Sequence, residues 1–219
     1  MTLLCSNGVT VLQNYIRVSL ITKIVLLLTV SFSGSAFATE TENMPRFERW
    51  HQEFGAEIGY GLGINLPNGD RPDIQFAHIA ANFQLDLTGN IGSSFYQGNL
   101  NWFTELNANL LHNPDSGTLI GFSPTMLQYK FIQAERNWAP TLLIGAGLAL
   151  TDWDREDIAG NDISGGLQFL LHGGMGIEFF RPGSGSFSIN YRLVHISNAG
   201  MKRPNVGLNA NIFTIGFTF

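Results

Sequence analysis

Residues Gly207 to Phe219 read GLNANIFTIGFTF. From Phe213 onward, large apolar side chains alternate with small or hydroxylated ones. Phe213, Ile215, Phe217 and Phe219 share one face, and Thr214, Gly216 and Thr218 the other. Side chains point alternately to the two faces of a strand, so an unbroken period of two is a β-strand with one apolar face. An apolar face on a closing strand suits a narrow membrane barrel, which has no open edge and meets hydrocarbon on its outside.

The same alternation recurs upstream, separated by turn-rich segments. It predicts eight strands: Arg49–Gly63, Asp73–Leu87, Asn99–Leu111, Gly117–Phe131, Trp138–Asp152, Leu167–Arg181, Gly185–Ser197 and Gly207–Phe219. Each is long enough for the ~9–11 residues of a tilted membrane-spanning strand. In the fifth, Leu142, Ile144, Ala146, Leu148 and Leu150 alternate with Leu143, Gly145, Gly147 and Ala149. Small inward residues let a narrow lumen fill without strain. The expected fold is all-β, an eight-stranded antiparallel transmembrane barrel. An even strand count returns both ends to one side, the periplasm. The connections Ile64–Pro72, His112–Ser116, Trp153–Gly166 and Asn198–Val206 are then extracellular, and Pro182–Ser184 is a tight periplasmic return. The terminal Phe resembles the signal by which outer-membrane proteins are recognised for assembly.

The N-terminal part sets the compartment. Met1 to Ala38 holds no Asp or Glu. Arg17 and Lys23 precede the apolar run Ile24–Phe32, and Ala36-Phe37-Ala38 offers a small-x-small cleavage site. That order reads as a secretory signal peptide over residues 1–38, leaving residues 39–219 as one barrel domain. The nine-residue apolar run falls short of the ~20 residues a membrane helix needs. Cys5, the lone cysteine, goes with the signal, so the mature chain has no disulfide and no thiol chemistry. Ten basic residues then face seventeen acidic ones, a net charge of −7. With no basic patch, nucleic acid is excluded as a partner.

Chemistry concentrates in Tyr191–Asn211, YRLVHISNAGMKRPNVGLNAN. In the seventh strand Phe187, Ile189, Tyr191 and Leu193 form an apolar stripe, and His195 and Ser197 continue it near the extracellular end. Polar groups on a lipid-facing wall are costly and tend to be functional. The i, i+2 spacing sets the two side chains ~6–7 Å apart on one face. There an imidazole can act as general base to a serine hydroxyl, which is a weak nucleophile by itself.

The run His195-Ile196-Ser197-Asn198-Ala199, followed by Pro204-Asn205-x-Gly207, resembles the lipid A 3-O-deacylase (PagL-like) family of outer-membrane barrels. The resemblance covers roughly Tyr191 to Asn209; the rest agrees in general character. It implies Ser197 as nucleophile, His195 as general base, and Asn198 with nearby backbone N–H groups holding the oxyanion. It also implies ester hydrolysis without a metal ion or cofactor, on lipid A or lipopolysaccharide in the outer leaflet of the outer membrane. Where the family pattern carries a Glu that orients the histidine, this chain has Asn209. An amide oxygen can accept the imidazole Nδ1–H and fix the tautomer, but supplies no charge to stabilise imidazolium.

The other polar features read as structural. Asn205 and Gly207 shape the loop beside the site. Lys202 and Arg203 sit on that loop, where they can meet lipid A phosphates or simply be solvated. Thr151–Asp157 reads as a solvated acidic loop; its carboxylates could ligate Ca²⁺ or Mg²⁺, but the spacing matches no defined metal loop. His78, Glu105 and His172 have inward parity and belong to a packed lumen. His51 and His112 lie at strand ends. Because of Asn209, a non-catalytic barrel that binds lipopolysaccharide or another envelope component stays open as a second function. A solute channel does not fit, because eight strands leave an interior just filled by side chains. Dimerisation is left open.

Overall fold

The computed structural model describes residues 47–64, 73–132, 136–154, 163–181 and 185–219. The signal segment, the tip of the first connection, residues 155–162 of the Trp153–Gly166 connection and the return at 182–184 lie outside them. Eight strands form: β1 (Gln52–Gly63), β2 (Gln75–Asp86), β3 (Gly98–Asn113), β4 (Gly117–Phe131), β5 (Trp138–Thr151), β6 (Leu167–Phe180), β7 (Ser186–Ser197) and β8 (Leu208–Thr218). Each pairs antiparallel with the next, and β8 returns to β1 to close the barrel.

The boundaries match the alternation to within three residues. β1 starts at Gln52 rather than Arg49 because Trp50 takes a positive φ of 73° in a turn, with its N–H on Asp86 O. β3 runs two residues past Leu111. Pro124 sits where the β3–β4 register shifts. Proline cannot donate to a ladder and is tolerated at such a bulge. Its carbonyl accepts the Trp102 indole N–H at 2.6 Å.

Parity sorts the side chains. Leu142, Ile144, Leu148, Leu150, Leu171, Leu193, Phe213 and Ile215 are exposed on the outer wall. An apolar surface of that extent requires hydrocarbon rather than water around it. The inward set fills the lumen in layers. Near the rim that carries the β7–β8 connection, Trp153, Phe76, Ile163, Leu119, Ile196 and Leu208 form an apolar plug. The Phe76 and Trp153 rings pack 5.2 Å apart within it. Trp153, which the sequence assigns to a solvated acidic loop, is fully buried there.

Below the plug lies an ionic layer. Arg192 bonds Glu105 at 2.6 Å and Glu57 at 3.3 Å, and Thr214 donates to Glu57. His78 and Asn109, Asn109 and Asn107, and Asn107 and Glu105 continue the chain, while His172 meets Ser123 at 2.9 Å. Next come Phe103, Met126 and Leu143. Lys130, between Glu53 near the start of β1 and Glu178 near the end of β6, makes a second ionic layer. Voids of about 10 Å³ between layers hold at most a water molecule. The lumen is packed, as the parity of His78, Glu105 and His172 predicts.

Candidate active site

β7 and β8 are neighbours, with His195 directly opposite Asn209 and Ile196 opposite Leu208. The buried residues of β7 are Ser186, Arg192, Val194 and Ile196, all of one parity, so His195 and Ser197 face outward, half-buried on the wall. On β6, Leu171 pairs with His195 and Phe169 with Ser197. The two polar groups therefore stand in an apolar wall just below the rim.

His195 Nδ1 and Asn209 Oδ1 are 2.9 Å apart. An amide oxygen only accepts, so this contact places the proton on Nδ1 and leaves a lone pair on Nε2. Gly207 fixes where that lone pair lies. Its φ is +86°, and a Cβ built there would stand 2.5 Å from His195 Cε1 and 3.1 Å from Nε2. The Cε1–Nε2 edge of the ring thus rests on bare backbone at the level of Ser197, one step beyond the last paired residues. Ser197 Oγ makes no hydrogen bond with the ring among the described residues. Catalytic contacts of this kind often tighten only around substrate.

The loop after Ser197 is tied down by Asn198, which is buried. Its Nδ2 donates to Ser164 O at 2.6 Å and Lys202 O at 2.8 Å. Its Oδ1 accepts from Gly200 N at 2.9 Å, and its own N–H donates to Asn205 Oδ1 at 3.1 Å. Ser164 Oγ in turn donates to Pro204 O. Asn198 and Asn205 thus brace the loop, and Ser164, which nothing in its local sequence singles out, couples it to the β5–β6 connection. Both amide hydrogens of Asn198 are engaged away from Ser197. The Gly200 and Met201 N–H groups are engaged as well, the latter on Asn198 O. Ala199 N–H has no acceptor among the described residues. Lys202 and Arg203 are exposed on the same loop.

Among the described residues, one group of side chains has metal-ligand chemistry: Glu57, His78 and Glu105, with donor atoms within 4.8 Å of one another. Arg192 already bridges both carboxylates. The group lies in the lumen, on the opposite face of the wall from His195 and Ser197.

Comparison with known proteins places this geometry in context. Residues 77–218 match the model of the family described as lipid A 3-O-deacylase (PagL). The chain is 26% identical over 170 residues to lipid A deacylase PagL of Bordetella bronchiseptica, covering 75% of this chain and 83% of the relative. The crystal structure of the outer membrane enzyme PagL superposes with a TM-score of 0.51 at 18% identity, covering 76% of this chain and 98% of that one. Neisserial surface protein A superposes with a TM-score of 0.55 at 10% identity, covering 76% and 95%. At these identities the two superpositions speak for the eight-stranded barrel alone.

Proposed function

Because the chain belongs to the lipid A 3-O-deacylase (PagL) family, we propose that this outer-membrane barrel is a serine esterase that removes the 3-O-linked acyl chain of lipid A in the outer leaflet. The observation that carries the reading is the His195–Asn209 pair, held beside Ser197 on the lipid-facing wall. Lipid A keeps its ester groups at the top of the hydrocarbon layer, so a nucleophile there meets an ester without drawing the lipid out of the membrane.

In this mechanism Ser197 Oγ attacks the ester carbonyl while His195 Nε2 takes its proton. The tetrahedral oxyanion needs preorganised donors. Ala199 N–H, two residues beyond Ser197 and without an acceptor among the described residues, is the donor assigned to it here, with Asn198 acting through the loop it braces. Collapse breaks the bond to the sugar oxygen, which leaves with the proton from His195. Water, deprotonated by His195, then attacks the acyl-serine and releases a fatty acid. Asn209 Oδ1 accepts the Nδ1–H in the neutral ring and in the imidazolium alike. One barrel carries all these groups, so the mechanism requires no second copy, metal or cofactor. The exposed Lys202 and Arg203 are placed to meet lipid A phosphates.

Asn209 supports a second reading, a barrel that binds lipopolysaccharide without cleaving it, since a neutral residue does not stabilise imidazolium. Mass spectrometry of lipid A from cells producing the wild type or Ser197→Ala separates the two. The esterase predicts loss of one hydroxyacyl chain with the wild type alone. Intact lipid A in both strains, with the barrel folded by its heat-modifiable gel mobility, sinks it.

A further inference from the structure

The end of the barrel away from His195 and Ser197 carries both chain ends, which makes it the periplasmic one. Turns at that end are usually short. Residues 87–97, between β2 and β3, instead form an eleven-residue connection. It reads LTGNIGSSFYQ and holds no charged residue. Phe95 at its tip is 76% exposed, and Tyr96 and Ile91 are exposed beside it. Trp50, also exposed, stands at the base of the same hairpin with its N–H on Asp86 O.

Hydrogen bonds and ring contacts hold the turn in place. Asp86 Oδ1 accepts from the N–H groups of Thr88 and Gly89 at 2.9 and 2.7 Å. Ile91 and Gly98 exchange both of their backbone hydrogen bonds. A Cβ on Gly92, whose φ is +78°, would stand 2.8 Å from Tyr96 Cδ2, so the Tyr96 ring lies over bare backbone. Phe95 meets that ring edge-on at 5.3 Å. Tyr129, of outward parity on β4, sets the direction of the tip. Its ring lies across Gly98, where a Cβ would stand 2.8 Å from Tyr129 Cε1. Its hydroxyl donates to Tyr96 O at 2.7 Å. The tip is therefore tied to the outer face of the wall and not laid across the mouth of the lumen.

We infer that this turn is an anchor that seats Phe95 and Tyr96 in the phospholipid leaflet on the periplasmic face of the outer membrane. The apolar wall runs into the turn through Tyr129, so the surface that hydrocarbon covers continues from β4 to the tip. An exposed aromatic cluster on such a path marks a membrane contact. Tyr96 and Trp50 suit the headgroup level, where the ring is dry and the polar edge wet. Phe95 reaches past them to the boundary with the acyl chains. An uncharged tip enters that layer without stripping water from an ion. A turn already held rigid loses little further freedom on insertion. The anchor lies at the other end of the barrel from the proposed chemistry and does not depend on it.

The test uses the full chain folded into vesicles of phosphatidylethanolamine and phosphatidylglycerol. With Cys5→Ser removing the only native thiol, Phe95→Cys gives a single site for a nitroxide label. Collisions of the label with oxygen, which concentrates in hydrocarbon, are compared with those of a water-soluble nickel chelate. Oxygen should dominate at Phe95→Cys as it does at Ile144→Cys on the exposed outer wall. Dominance of the chelate puts the tip in water and overturns the proposal. Because the label is itself apolar, a second measurement is made in cells, on a barrel with p-benzoylphenylalanine in place of Phe95 and its folding checked by gel mobility. Irradiation should raise the mass of the barrel by that of one phospholipid. A protein adduct would show that the tip docks on a protein, a lipopolysaccharide adduct that it lies in the other leaflet, and no adduct that it stands in water; each of these overturns the anchor.

Discussion

His195 Nδ1 and Asn209 Oδ1 stand 2.9 Å apart across directly paired positions of β7 and β8. The register of two rigid strands, not a loop, therefore sets the orientation of the proposed base. The amide does the geometric half of what a carboxylate would do: it accepts from Nδ1–H. It omits the electrostatic half, and it can also turn to donate its own N–H, which would favour the wrong tautomer. Asn209→Glu supplies the charge and removes that alternative. Since replacing the acid of a serine triad by its amide costs up to about 10⁴ in rate, Asn209→Glu should raise kcat at least about tenfold with little change in KM. An unchanged kcat, measured on lipid A in micelles, would mean that residue 209 has no part in orienting His195, and a lower one that the amide serves this site better than a carboxylate.

The backbone under the imidazole gives a second prediction. Gly207 combines a φ of +86° with a ring lying where its Cβ would be. Gly207→Ala is strained by the backbone and pushes the Cε1–Nε2 edge away from the Ser197 level. Misplacing a catalytic group by about 1 Å can cost about 100-fold. The variant should fold, bind substrate with a similar KM, and lose about ten- to a hundredfold in kcat. Wild-type kcat in a folded Gly207→Ala barrel would show that the ring does not need its present seat.

Much of this was legible in the sequence because a barrel wall obeys a local rule. Strict alternation from Phe213 to Phe219 gave β8 and its lipid face, and the same parity put His195, Ser197 and Asn209 outside and His78, Glu105 and His172 inside. What escaped depends on contacts that cross the sequence. Trp153 sits in a run of acidic residues that reads as a solvated loop, yet it seals the lumen against Phe76. Asn198 stands beside Ser197 in the motif, which invites a direct role. Only the fold shows its amide spent on Ser164, 34 residues away. The packing of His195 on Gly207 was likewise invisible, because the sequence shows that Gly207 permits a turn but not what rests on it.

That use of Asn198 leads to a third prediction. Asn198→Ala removes two donated bonds and one accepted bond from a buried position. Backbone exchange in residues 198–206 should speed up, and activity should fall at least about tenfold, while the barrel keeps its gel mobility. Asn198→Asp tests the same point with conserved shape. A carboxylate cannot donate to the Ser164 and Lys202 carbonyls, so it should be no better than alanine. Unchanged exchange in an inactive Asn198→Ala would instead indicate a direct role in the reaction and refute the bracing one.

The lumen supplies the last prediction, because its ionic layer sits on the other side of the wall from the proposed chemistry. Arg192 is buried and holds both Glu105 and Glu57. Arg192→Met leaves two carboxylates facing each other without a cation. Breaking a buried pair by removing one partner costs about 3–5 kcal/mol. The urea midpoint should therefore drop, while kcat per folded barrel stays at the wild-type value. Neutralising the partners as well, in Arg192→Met/Glu57→Gln/Glu105→Gln, should recover a good part of the lost stability, because the penalty comes from the stranded charges rather than from the missing side chain. If the triple variant is as unstable as Arg192→Met, the layer contributes through the packing of the arginine stem. If kcat falls in the folded Arg192→Met barrel, the lumen and the outer wall are coupled, contrary to the separation that strand parity imposes.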